Sequence, residues 1–323
     1  FEPVSASGVH ISCRDGRTLL DLYGGHAVAS LGYSHPDIVA AITQQSEQLF
    51  FQCNAVALEI RAQAADKLAA IAPAGLNRVF FVNSGAEANE NALRAAFKKT
   101  GRKKIVALKQ GFHGRTAAAA AVTWGAAEKW YGFPQAPFDV EFVARDDIAA
   151  ATAAIDGDTA AVIIELVQGI AGASDLEPDF VTAVRKACDT SGALLIVDEV
   201  QTGVGRCGEA FAADVYKVQP DILTTAKALG TGFPCGTVLM TDDVAECLHV
   251  GDLGTTFGGG PLACALISTV LDVIARDGLL ANVRRLSERI KAECVTGPVT
   301  GVSGKGFLLG LHCEGGAKPV RNA

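Results

Sequence analysis

Three groups in this chain stand where short apolar runs end, and each suits a different piece of chemistry. Asp198 closes the run Ala193–Asp198 (ALLIVD), and a carboxylate placed there can keep a pyridine nitrogen protonated and turn its ring into an electron sink. Lys227 follows Ile222–Thr225; a lysine held in a partly desolvated pocket has a lowered pKa and condenses with an aldehyde. Asn83-Ser84-Gly85-Ala86 follows Arg78–Val82 (RVFFV), where the Ser84 hydroxyl and the N–H groups of Gly85 and Ala86 can hold an anion at a helix start. Each has an ordinary alternative. Ser84 with Glu87 reads as a capping box, Asp198 as a turn cap, and a lone lysine as a solvated surface group. The combination of phosphate, pyridinium and aldehyde sites points to pyridoxal 5'-phosphate (PLP).

The elements that would position these groups are legible in the pattern. Arg78–Val82, Lys104–Leu108, Ala160–Glu165, Ala193–Asp198, Ile222–Thr225 and Thr237–Met240 read as strands, with helices over roughly 87–99 and 179–190. Near-continuous apolar strands alternating with helices indicate a parallel sheet covered on both faces, and ligands of such sheets gather beyond the strands' carboxyl ends. A helix is predicted over Pro261–Arg276, with Gly278 breaking it before a second helix through Glu293. The expected organisation is an N-terminal segment and part of a small domain (1–56), a large domain (57–276), and the start of a C-terminal small domain (277–323). Both ends read as trimmed. Gly203–Gly208 matches G-x-G-x-x-G, but it does not directly follow a strand and precedes a poor helix, which argues against a dinucleotide site.

A net charge of −7 argues against nucleic acid or an anionic membrane surface as partner. No apolar run approaches a membrane span, and the 9 irregularly spaced cysteines suggest reduced, cytoplasmic usage with no disulfide framework and no metal site.

The strings FFVNSGAEANENALRAA (80–96), QGFHGRT (110–116), VDEVQTGVGR (197–206), TTAKALGTGFP (224–234) and TTFGGGPLA (255–263) resemble the class III, ornithine-type aminotransferases, in order and in spacing. The resemblance implies PLP fold type I, an α/β architecture. Its large domain has a mostly parallel seven-stranded sheet covered by helices, and the two chain ends form a small α+β domain. It implies that Ser84, Gly85 and Ala86 hold the cofactor phosphate, helped by Thr256 arriving from the partner of a homodimer. Phe112 stacks on one ring face and Val200 packs on the other, Asp198 pairs with the ring nitrogen, and Gln201 lies near the phenolic oxygen. Lys227 forms the Schiff base and then shuttles a proton. For the substrate, the resemblance implies Arg115 as a carboxylate clamp, Thr255 as a contact, and Glu165 as a group that pairs with an arginine when no second carboxylate is bound.

The implied reaction moves the terminal amino group of N-acetylornithine, or a related ω-amino donor, to 2-oxoglutarate. Transaminases of 4-aminobutyrate, ornithine or the aminoadipate-semialdehyde pathway are the alternatives, with an inactive PLP-binding homologue further off. Asn89 and the string GGHAVASLGYSHP look closest to the acetylornithine branch. Three positions depart from the family pattern: Leu166 replaces a proline, Ile170 an acidic residue and Gly260 an asparagine. His26 and His35 read as turn residues, His113 as part of the site wall, and Trp124, Trp130 and Tyr131 as a packing or dimer patch.

Overall fold

The computed structural model describes residues 1–317. At the N-terminus, β1 (Pro3–Ser7), β2 (His10–Cys13) and β3 (Thr18–Leu20) form an antiparallel meander separate from the main sheet. The main sheet contains β4 (Arg78–Val82), β5 (Lys104–Leu108), β6 (Asp139–Val143) and β7 (Thr159–Ile164). A two-stranded hairpin follows, β8 (Val167–Gln168) with β9 (Ser174–Asp175). Then β10 (Leu194–Asp198), β11 (Ile222–Thr225) and β12 (Gly236–Met240) complete the main sheet, and β13 (Val299–Lys305) pairs with β14 (Leu308–Cys313). The spatial order of the seven strands is β4-β12-β11-β10-β7-β5-β6. β12 runs antiparallel to both neighbours, and the other adjacent pairs are parallel.

Both faces of this sheet are covered, which explains the apolar runs. Val106, Leu108, Val162, Ile164, Leu195 and Val197 enter the core on one face. Their neighbours Ile105, Ala107, Ala161, Ile163, Leu194 and Ile196 enter it on the other. With period-2 alternation and two buried faces, every position must be apolar. The helix Gly85–Thr100 lies close to the sheet because its buried face is largely alanine: Ala88, Ala92, Ala95 and Ala96. Ser84 is its N-cap, accepting from Glu87 N at 3.1 Å, and Gly101 closes it in the left-handed conformation. The helix Pro261–Arg276 packs against the helices Pro36–Gln48 and Glu59–Ile71, on the face opposite Gly85–Thr100.

The glycine-rich run 203–208 is a series of turns. Gly205 and Gly208 have positive φ and lie under Leu280 and Arg284 of the helix Leu279–Glu293, so it serves packing between elements. Among the described residues no helix is long and apolar enough to cross a membrane.

Candidate active site

β4, β5, β7, β10 and β11 all run the same way, and the loops beyond their carboxyl ends converge on a cavity of about 660 Å³. Ser84–Ala86 arrive after β4, Phe112–Arg115 after β5, Glu165 after β7, Asp198 at the end of β10 and Lys227 just past β11. The edge formed by the strands' carboxyl ends is where ligands of parallel sheets gather.

Asp198 is buried, and its oxygens are nearly filled. Oδ1 accepts from Val200 N at 2.9 Å; Oδ2 accepts from Asn89 Nδ2 at 2.7 Å and faces His113 Nδ1 at 2.8 Å. Asn89 is fixed in turn, donating to His113 O at 2.7 Å and accepting from Thr224 Oγ1 at 2.7 Å. A carboxylate offers about four acceptor positions, so three bonds leave one open on a group that lines the cavity. Burial alone would lower the His113 pKa, but the hydrogen bond and charge of Asp198 outweigh it and the net shift is upward. His113 therefore supplies its Nδ1–H to Asp198, while its buried Nε2 has no partner among the described residues.

Lys227 sits at φ 43°, in the left-handed region that a residue with a Cβ adopts only under local constraint. Burial pulls its amine below the usual lysine range, overcoming the opposite pull of Asp198 and Glu165. Among the described residues it forms no ion pair. Glu165 is also buried, and its Oε2 accepts from Phe112 N at 2.8 Å. Burial pushes its carboxyl up to about 7, with the Asp198 charge adding to the rise and His113, the Phe112 N–H and Lys227 opposing it.

A raised carboxyl pKa has a consequence for folding. The protonated form of Glu165 is favoured in the folded chain and the ionised form in the unfolded chain. Its stabilising contribution is therefore present below about pH 4.5 and is lost as pH rises to about 7. Glu165→Gln, which keeps an acceptor for Phe112 N, is expected to flatten that part of the stability curve. Chemical denaturation of both proteins from pH 4.5 to 7.5 checks this, and an unchanged slope in the variant would contradict it.

The remaining groups complete a cradle. A Cβ on Gly85 would lie 2.7 and 2.8 Å from the two Val200 methyls, and one on Gly114 would lie 2.7 Å from the Ala86 Cβ. Only glycine admits this close approach of loops. Gln201 lines the same cavity with its amide against Gly169, where a Cβ would lie 1.5 Å from Oε1. At the mouth, the Arg115 guanidinium stacks over Trp130 at 4.5 Å, and Trp130 lies 6.5 Å from Phe112. Arg115 is exposed and has no ion pair among the described residues.

PLP fits this donor set. The helix start at Ser84–Ala86 with its unspent hydroxyl proton suits a phosphate, the open acceptor position on Asp198 suits a pyridinium N–H, and the buried amine of Lys227 suits an aldehyde. Phe112 and Val200 are both on the wall. Ser84 thus serves as helix cap and anion donor together, so its two readings are compatible.

Thr255 lies outside this chain's own cavity, its Oγ1 accepting from Asn83 Nδ2 at 3.2 Å and Gly258 N at 3.0 Å, while Thr256, expected to serve the cavity of a partner, is exposed. Among the described residues Glu165 forms no ion pair with an arginine; its Oε2 accepts from Phe112 N instead. Three residues were under-read. His26 lies on the cavity wall, because consecutive left-handed residues at 24–27 fold that segment over the mouth. Trp130 supports Arg115 as well as packing locally. His113 gains in Asp198 a partner that no sequence spacing could name. The i, i+1 placement of Phe112 and His113 was the only hint, since adjacent residues on a tight loop can serve opposite sides of one ligand.

Comparison with known proteins agrees with the geometry. The family model for class III aminotransferases matches residues 2–318. The acetylornithine aminotransferase of Methanopyrus kandleri is 42% identical over 312 residues, which span 96% of this chain and 80% of that protein. Among solved structures, the ornithine aminotransferase of Toxoplasma gondii superposes with a TM-score of 0.89 at 29% identity, covering 97% of this chain and 77% of that one. The taurine:2-oxoglutarate aminotransferase of Bifidobacterium kashiwanohense, solved with PLP and glutamate, does so with a TM-score of 0.88 at 27% identity, covering 97% and 77%. The chain therefore belongs to the class III aminotransferases, a PLP-dependent family.

Proposed function

We propose that this enzyme transfers the terminal amino group of an N-acylated, ornithine-like donor, N-acetylornithine first, to 2-oxoglutarate. Bound PLP supplies the electron sink for the carbon that loses its proton. The observation that carries the reading is the placement, in one cavity, of a buried and uncommitted lysine, a carboxylate with one open acceptor position and a free guanidinium at the mouth.

Each residue has a defined task. Ser84, Gly85 and Ala86 hold the phosphate, Asp198 accepts the ring N–H, and Phe112 and Val200 fix the ring plane. Gln201, on the cavity wall, would contact the phenolic oxygen of the bound cofactor. Lys227 Nζ holds the cofactor between turnovers and, once displaced, moves the proton at the donor's amine-bearing carbon. Burial lowers its pKa, which favours the neutral amine that this task needs. Arg115, held flat on Trp130, binds the donor carboxylate.

The active unit is proposed to be a homodimer. Thr256 is exposed beside Phe257 and Phe51, whose rings lie 5.5 Å apart and are themselves exposed, an apolar patch suited to a second copy that would receive Thr256 at its phosphate site. Nine free cysteines suit a reducing, cytoplasmic setting.

Steady-state comparison of N-acetylornithine, ornithine and 4-aminobutyrate with 2-oxoglutarate tests the substrate. We expect kcat/KM for N-acetylornithine to exceed the others by an order of magnitude or more. A higher value for 4-aminobutyrate would overturn the assignment.

A further inference from the structure

Val28, Phe112, Val200 and Phe233 line the cavity half-buried, and one further apolar position stands out by its exposure. Ile170 is 67% exposed, and among the described residues it is the only exposed large hydrophobic that lines the cavity. It stands at the tip of the β8–β9 hairpin, in a turn closed by Gly172 N and Ala173 N donating to Gly169 O at 3.2 and 3.3 Å. Turn tips ordinarily carry Gly, Asn, Asp or Ser, so an isoleucine here has no local conformational reason.

The hairpin is held rigidly. Gln168 Nε2 donates to Lys109 O at 2.9 Å, Tyr216 Oη shares its one proton between Leu166 O and Leu176 O at 3.0 Å each, and Ser303 Oγ on β13 donates to Gly172 O at 3.1 Å. Leu166, fully buried in the core, anchors its base. The isoleucine is thus presented at the mouth as a fixed surface.

The charges around it are equally specific. The carboxylates on the cavity wall are Asp198 and Glu165; both are buried and already engaged by backbone or side-chain donors. At the mouth stands Arg115 over Trp130. A ligand's carboxylate is welcomed there, but a second ammonium would be desolvated without a partner, which is unfavourable. An uncharged group with an apolar tail meets Ile170 instead.

Resting on the reading above that the donor is N-acylated, we propose that Ile170 is a specificity-determining residue that packs on the donor's acyl chain. The enzyme therefore prefers straight-chain acyl groups longer than acetyl, and disfavours a free α-ammonium.

Norvaline derivatives, which have the ornithine skeleton but no terminal amine, test this without chemistry once the cofactor has been reduced onto Lys227 with borohydride, so that the free α-amine of norvaline cannot condense with it. Calorimetric titration of PLP-loaded wild type, Ile170→Ala and Ile170→Glu with norvaline, N-acetylnorvaline and N-butyrylnorvaline gives the affinities. In wild type each added methylene is expected to tighten binding about three- to fourfold, so that butyryl exceeds acetyl by about tenfold. Ile170→Ala should reduce that ratio to about threefold or less, and Ile170→Glu should reverse it while improving free norvaline. Equal ratios in all three proteins would overturn the proposal, as would equal binding of norvaline and N-acetylnorvaline by wild type. The outcomes separate from those of the donor comparison. An enzyme that prefers 4-aminobutyrate in turnover, yet binds N-butyrylnorvaline through Ile170, would lose the assigned reaction and keep the apolar subsite.

Discussion

Lys227→Ala is expected to lower kcat by on the order of 10⁴-fold or more, because one substitution removes both the covalent anchor and the proton carrier. The same change should leave the fold intact. The amine is disfavoured where it is, as the downward pull on its pKa indicates, and it forms no ion pair among the described residues. Thermal unfolding of the apoprotein should therefore be unchanged or shifted upward, while turnover collapses. Wild-type turnover in a well-folded Lys227→Ala protein would remove the lysine from the mechanism. Added small amines should restore part of the rate, since they can carry the proton without the tether.

The second large effect is at Asp198. Asp198→Asn keeps the shape and the acceptor for Val200 N, but it brings an NH₂ group against two existing donors, Asn89 Nδ2 and His113 Nδ1. At least one buried N–H is left unsatisfied, at a stability cost of about 1–3 kcal/mol. The larger loss is electrostatic. Without the carboxylate the ring nitrogen is no longer held protonated, and kcat should fall on the order of 10³-fold, in the range seen when a single preorganised stabilising group is removed. His113 should register the change too. With its carboxylate gone, burial is opposed only by the charge of Glu165, and the imidazole pKa should fall. NMR titration of the imidazole in wild type and variant reads this directly, and an unmoved His113 would mean that Asp198 does not set its charge.

The strands that build the site were legible because both faces of the sheet are buried. That requirement forces runs such as ALLIVD, and the first polar residue after each run marks the sheet's carboxyl edge. Asp198 stands at that edge itself, and Ser84 and Lys227 lie within two residues of a strand end. β6 could not. Its sequence DVEFV places Asp139 and Glu141 outward at an edge position, so it lacks the continuous apolar signature of the central strands. The antiparallel insertion of β12 between β4 and β11 was equally hidden, since GTVLM reads the same in either direction. The left-handed residues 24–27, which bring His26 to the cavity, follow from contacts distant in sequence, such as Ser30 Oγ donating to Ala228 O at 3.2 Å. The Asn89–Asp198–His113 network joins a helix, a strand end and a loop that are 109 residues apart at their widest, and only the folded sheet brings them together. Arg115 was found by motif, but its support was not, because the stacking of Trp130 depends on the path of the loop between two short helices.

Reductive trapping of the cofactor tests the central claim most directly. The protein is loaded with PLP, its near-visible absorption is recorded before and after N-acetylornithine, and a parallel sample is reduced with borohydride, digested and mapped by mass spectrometry. The expected result is a band that the donor bleaches, with the reduced cofactor found on the peptide carrying Lys227. Cofactor trapped on a different lysine, or no trapped cofactor at all, would contradict the assignment of Lys227.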